Sequence, residues 1–189
     1  MKNIAIFISG RGSNMQQIIG QVKNGILKDL CNISLVFSNY CQALGLKVAK
    51  ENQIQTLCLD SKGKKRVEYD KEVLTLLHPF EIDYIVLAGY MRILSPEFIK
   101  TYPQRILNIH PADTRSFQGL NAYKWAYENL LKETYITIHY VDEGVDTGQV
   151  IAQQKVDLTG VNSLEEVEQR GLQVEYELYS KTLAKLFSG

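Results

Sequence analysis

An amide and an imidazole one residue apart, Asn108 and His110, form the most suggestive chemical pair in the chain. They close the run Ile106-Leu107-Asn108-Ile109-His110-Pro111, which begins with the apolar pattern of a buried strand. Strand alternation puts both side chains on one face, and Pro111 ends the ladder and keeps His110 extended. The pair should therefore project from the carboxyl end of a strand, the edge where open parallel sheets bind ligands. There it offers a hydrogen-bonding amide and a titratable ring. A core histidine beside a turn-forming asparagine fits the same spacing. Two strands further on, Asp146 lies in the glycine-rich turn Asp142-Glu143-Gly144-Val145-Asp146-Thr147-Gly148, where a carboxylate can reach the imidazole. That turn also suits an acidic surface loop, but its spacing is wrong for an EF-hand. His139, on an alternating strand, reads as a supporting or core histidine, and Thr137 shares its face.

A second candidate site is Gly10-Arg11-Gly12-Ser13-Asn14, which joins the first apolar run to a stretch of helical spacing. Ser13 and Gln16 fit a capping box and start the helix at Ser13. Glycines allow close backbone approach, and free N–H groups at a helix start favour an anion such as a phosphate. A plain strand-to-helix turn is the alternative. The third glycine of a dinucleotide fingerprint is missing, because position 15 is Met, so NAD is disfavoured.

These groups need a scaffold, and the chain supplies an alternating one. Strand-like runs at 3–9, 33–38, 54–59 and 82–88 alternate with helical stretches, among them Arg66–Leu77 with Val67, Val73, Leu74 and Leu77 as its apolar stripe. That rhythm argues for an α/β, doubly wound, mostly parallel sheet. Residues 135–141 and 149–156 alternate as an antiparallel edge hairpin, and Ser163 with Glu166 caps a long C-terminal helix. At 189 residues the chain suits a single domain, 1–189. Lys plus Arg and Asp plus Glu balance at 21 each, so no basic field marks a nucleic-acid binder. The N-terminal apolar run is too short for a membrane span. Cys31, Cys41 and Cys58 are odd in number and widely spaced, so they read as reduced cysteines of a cytoplasmic protein. No cluster has metal-ligand spacing, and no metal is expected.

Together the motifs resemble a family. Ser9-Gly10-Arg11-Gly12-Ser13-Asn14, Ala88-Gly89-Tyr90-Met91-Arg92-Ile93-Leu94, Asn108-Ile109-His110-Pro111 and His139 through Gly148 are similar, in order, to the glycinamide ribonucleotide formyltransferases among the folate-dependent formyltransferases. The resemblance implies a Rossmann-like formyltransferase fold, with a phosphate-binding half at about 1–100 and a folate and catalytic half at about 101–189. It implies formyl transfer from the co-substrate 10-formyltetrahydrofolate to the primary amine of glycinamide ribonucleotide, in purine synthesis. Asn108, His110 and Asp146 would be catalytic, with Asn108 and a protonated His110 facing the oxyanion and Asp146 moving protons. Gly12, Ser13, Asn14 and Glu175 would hold phosphate and ribose. Met91, Arg92, Ile93, Leu94 and Asp142 would wall the folate pocket, with Arg66 on the glutamate tail. Thr137 and His139 would support the catalytic groups. The expected partners are small molecules, with neither nucleic acid nor membrane.

The chain departs from that pattern after Pro111. The family's Ser-Leu-Leu-Pro is replaced by Ala112-Asp113-Thr114-Arg115, and its proline-glycine-leucine-histidine by Gln118-Gly119-Leu120-Asn121. Loss of the prolines predicts a loosely held loop, in which Arg115 is long enough to meet a phosphate or carboxylate. A related enzyme formylating another phosphorylated or sugar-nucleotide amine, or hydrolysing 10-formyltetrahydrofolate, is the alternative. A non-catalytic folate- or nucleotide-binding protein is a further one.

Overall fold

The computed structural model describes residues 1–189. Its strands are β1 (Lys2–Ile8), β2 (Cys31–Ser38), β3 (Thr56–Cys58), β4 (Tyr84–Leu87), β5 (Ile106–His110), β6 (Glu133–Tyr140) and β7 (Val150–Asp157). The helices are α1 (Ser13–Asn24), α2 (Leu44–Glu51), α3 (Arg66–Leu77), α4 (Pro96–Thr101), α5 (Ala122–Glu128) and α6 (Leu164–Phe187). One seven-stranded sheet runs in the order β3-β2-β1-β4-β5-β6-β7. The pairs from β3 through β5 are parallel, and β6 and β7 add an antiparallel edge. This is the expected doubly wound sheet with its edge hairpin and long last helix.

Each face of the sheet builds its own core. On β1, Ile4, Ile6 and Ile8 face one cluster with Met15, Ile18, Leu178 and Leu183 of α1 and α6. Ala5 and Phe7 face the other, with Tyr69 and Val73 of α3 and Phe98 of α4. Period-two alternation with apolar residues on both faces is what a central parallel strand requires. In α3 the expected stripe needs correction, because Val67 is exposed and the fully buried Tyr69 takes its place. Burial of Tyr69 is tolerated because its hydroxyl donates to the Leu59 carbonyl at 2.7 Å. Ser95 caps α4 through Phe98 N–H, and Ser163 caps α6 through Glu166 N–H.

Two further readings are revised. Ser13 is the first residue of α1 but not its cap; Gly12 is the cap residue, in the left-handed region at φ 73°, with no side-chain cap bond. The cysteines are not all reduced, since Cys41 and Cys58 form a disulfide with Cα atoms 5.3 Å apart. Parallel pairing of Ser38 with Cys58 brings the end of β3 beside the loop that carries Cys41, a proximity invisible in linear spacing. Cys31 is free, and burial pushes its thiol up to about 11. No helix is long and apolar enough to cross a membrane.

Candidate functional site

β5 lies between the parallel half of the sheet and the antiparallel edge, and its last residues carry the chemistry. Register pairs Asn108 with His139 and His110 with Thr137 across β5 and β6. Neighbours directly opposite on one face are close enough for side chains to interact. The Asn108 amide lies 3.3 Å from His139 Nε2 and donates to Asp146 Oδ1 at 3.1 Å. His139 Nδ1 faces the Tyr140 carbonyl at 2.8 Å, which fixes the ring and leaves Nε2 toward Asn108 and Asp146. His110 Nδ1 is 3.3 Å from Asp146 Oδ2. The expected trio is therefore assembled, with His139 as a fourth member in direct contact.

Asp146 is the hub. It sits at φ 52°, a left-handed conformation uncommon outside glycine, although Asp and Asn adopt it more readily than most residues. Such conformations cost about 1 kcal/mol or more and persist where the surroundings over-determine them. Here the surroundings are Asn108, His110, His139 and the Gly119 N–H, which donates to Oδ2 at 2.9 Å. Burial alone would raise the Asp146 pKa, but His139, Gly119 N–H and His110 together hold it below the usual carboxylate range. Asp146 is therefore ionised at neutral pH.

His110 moves in an unexpected direction. Desolvation lowers its pKa below the ordinary 6.5, outweighing Asp146 and the Phe117 carbonyl, which both favour the charged ring. Burial thus weighs against the charged ring, while both ring nitrogens face acceptors, Asp146 Oδ2 and the Phe117 carbonyl, that suit it. This makes a stability prediction. A group whose folded pKa lies below its unfolded value lends stability that is full above the unfolded value and lost as pH falls below it. The His110 contribution should therefore disappear on acidification from about pH 6.5, whereas that of Asp146 persists until about pH 4. His110→Ala should lose less melting temperature than wild type between about pH 7 and pH 5. An equal or steeper loss would contradict the assignment.

The loop after Pro111 is pinned, contrary to the loosely held segment expected. The Ala112 carbonyl accepts from Thr137 Oγ1 at 2.7 Å, and the Phe117 carbonyl faces His110 Nε2 at 3.0 Å. Phe117 also stacks on Trp125 with centroids 4.8 Å apart. Aromatic stacking and side-chain hydrogen bonds replace the rigidity of the missing prolines. Arg115 is exposed and pairs with Asp113 at 2.8 Å.

A cavity of about 400 Å³ opens beside this cluster. Asn108, His110, His139 and Asp146 form one wall; Met91, Arg92, Ile93 and Leu94 form another, and Asp142 belongs to the lining. Exposed Met91, Ile93 and Leu120 give it an apolar mouth. The Arg92 guanidinium lies 4.4 Å from the centre of the Tyr69 ring. Asp142 organises its turn by accepting from Gly144 N–H and Thr147 Oγ1. Arg66 is exposed at the start of α3 and does not line the cavity.

The second expected site is the start of α1. The opening turn of α1 has no acidic residue and no side-chain cap, so its N–H groups and positive dipole end are free for an anion. Asn14 Nδ2 donates to Glu175 Oε2 at 2.6 Å, and the Tyr123 hydroxyl donates to Glu175 Oε1. The two regions are physically linked, since Met91 N–H donates to Ser9 Oγ at 2.7 Å. Sequence reading missed Gly119, Phe117 and Tyr123. Gly119 was legible only as a turn, Phe117 acts through its backbone carbonyl, and nothing in the spacing sets Tyr123 apart from a packing aromatic.

With this geometry in place, likeness to known proteins is informative. A family model described as formyl transferase matches residues 2–183. The phosphoribosylglycinamide formyltransferase of Haemophilus influenzae is 41% identical over 180 residues, covering 95% of this chain and 84% of that protein. That of Escherichia coli is 36% identical, covering 99% and 88%. The crystal structure of phosphoribosylglycinamide formyltransferase from Bacillus halodurans superposes with a TM-score of 0.93 at 40% identity, covering 99% of this chain and 96% of that one.

Proposed function

Because the chain belongs to the formyl transferase family, we propose that it transfers the formyl group of 10-formyltetrahydrofolate to the primary amine of glycinamide ribonucleotide. The observation that carries this reading is the convergence of Asn108, His110 and His139 on an ionised Asp146 at the wall of the cavity. In this reaction the amine attacks the formyl carbon and the tetrahydrofolate nitrogen leaves. One proton passes from the amine to the departing nitrogen. Negative charge builds on the formyl oxygen, and a fixed donor aimed at such an oxygen is worth about 3 kcal/mol. The Asn108 amide, oriented by Asp146 and His139, is the donor best placed to act. His110 is drawn toward its charged form as that oxygen becomes negative beside it, and Asp146 stabilises the imidazolium. Asp146 also accepts and returns the transferred proton through water.

The apolar mouth and the loop 91–94 suit a flat folate ring, and the open N-terminus of α1 suits the phosphate of the nucleotide. Asn14 and Glu175 would meet the ribose. We read the chain as one domain, with the phosphate site in its first half and most catalytic groups in its second. It acts on small molecules in the cytoplasm, where the Cys41–Cys58 pair would be open to reduction.

A turnover assay tests this directly. The protein should release tetrahydrofolate from 10-formyltetrahydrofolate only when glycinamide ribonucleotide is present. Release without any amine would make it a hydrolase. Preference for another phosphorylated amine would move the acceptor assignment and leave the transfer chemistry in place.

A further inference from the structure

Glu175 is a buried carboxylate, 5% exposed, on the long helix α6 and without an ion-pair partner. Two neutral donors from different elements hold it, the Asn14 amide at the start of α1 and the Tyr123 hydroxyl at the start of α5. The Tyr123 ring has a seat built for it, because a Cβ at Gly171, one turn before Glu175, would land on that ring. Beside the carboxylate, Asn14 Oδ1 is buried without a hydrogen-bond partner. A carboxylate has about four acceptor sites, so each Glu175 oxygen retains one after its protein contact. The locale thus presents several unsatisfied acceptor sites beside the second Asn14 N–H, a set that suits a pair of hydroxyl groups. It stands directly behind the helix end that suits a phosphate.

We propose that Tyr123 is a positioning residue for the nucleotide: its hydroxyl, together with the Asn14 amide, holds Glu175 oriented to accept hydrogen bonds from the two ribose hydroxyls. This rests on the functional reading above and adds a residue to it. The groups facing the carboxylate are Asn14 from α1, Tyr123 from α5 and Tyr179 from α6, while Glu168 and Tyr176 of α6 face Tyr123. None is a cation, so only hydrogen bonding opposes the burial that pushes Glu175 upward. Removing the phenol hydroxyl should let Glu175 take a proton at higher pH, and a protonated acid is a poorer double acceptor.

Tyr123→Phe keeps the ring on Gly171 and deletes only the hydroxyl. It should raise the KM for glycinamide ribonucleotide about tenfold, with kcat and the folate KM nearly unchanged. The acid limb of nucleotide binding should move to higher pH, which a packing role would not cause. On the 2-deoxyribose analogue the penalty should shrink, because one hydroxyl is gone. Gly171→Ala, whose Cβ would press on the ring and hydroxyl and so move an intact phenol off Glu175, should reproduce the KM increase. Unchanged nucleotide KM and pH profile in Tyr123→Phe would overturn the inference, as would a lower KM, which would make the phenol a competitor of the ribose. A wild type that neither binds nor turns over glycinamide ribonucleotide overturns the functional reading and this inference together. Normal wild-type turnover with an indifferent Tyr123→Phe overturns the inference alone.

Discussion

Asp146→Asn should fold as the parent does and lose at least about a hundredfold in kcat. The substitution suits the question because Asn is nearly isosteric and tolerates the left-handed conformation at φ 52°. What it removes is the negative charge that Asn108, His110, His139 and the Gly119 N–H surround. Without that charge the imidazolium form of His110 loses its stabilising neighbour, and the hub loses its carboxylate proton acceptor. His110→Ala should fall by a similar factor, since the ring and the carboxylate act on the same developing oxyanion. Groups acting as a unit are not additive, so the double variant should be little worse than either single one. Folate affinity, measured by ligand fluorescence, should change far less, because Met91 through Leu94 still wall the cavity. Near-normal kcat in either variant would refute the assigned roles. Loss of kcat and folate binding in parallel would point to collapse of the turn at 142–148.

How much of this was legible depended on how local the cause was. Asn108 and His110 could be placed on one face from alternation alone, and Arg66–Leu77 was bounded correctly although its apolar stripe was not, because Pro79 just beyond it marks the end. Contacts set by register were not legible. Asn108 opposes His139 only because β5 and β6 pair antiparallel after the long connection at 111–132, whose path no local pattern specifies. The Cys41–Cys58 bridge likewise follows from the register of β2 with a strand of three residues. His110 presents a different limit. Its charged neighbour suggested a raised pKa, but burial is a tertiary quantity and it dominates. Missing prolines suggested a loose loop, whereas Phe117 and Thr137 fix it from outside the segment's own backbone preferences.

Gly12→Val carries the second large effect, and it should fall on one substrate only. Gly12 has φ 73° and ψ 38°, and a Cβ there would stand 3.0 Å from Met15 Cε and 3.4 Å from Gly45 Cα. The left-handed conformation costs an ordinary residue about 1–2 kcal/mol, and a β-branched side chain fares worse. The backbone of Gly12 should therefore rotate away, carrying the first N–H groups of α1 out of line with the phosphate. A rise of at least about tenfold in the nucleotide KM is expected, because those N–H groups and the dipole are the anion's main partners in this reading. Gly12 does not line the cavity, so the folate KM should hardly move. One route could spread the damage, through Ser9, whose hydroxyl accepts from Met91 N–H. Gly12→Ala gauges it, because alanine shares the conformational strain and the Cβ contacts with Met15 and Gly45 but lacks the two further carbons of valine. A smaller nucleotide effect in Gly12→Ala, with the folate KM flat in both variants, would place the phosphate at this turn. Equal rises for both substrates would show instead that the loop transmits its distortion across the sheet edge, and the phosphate would then have to be sought elsewhere.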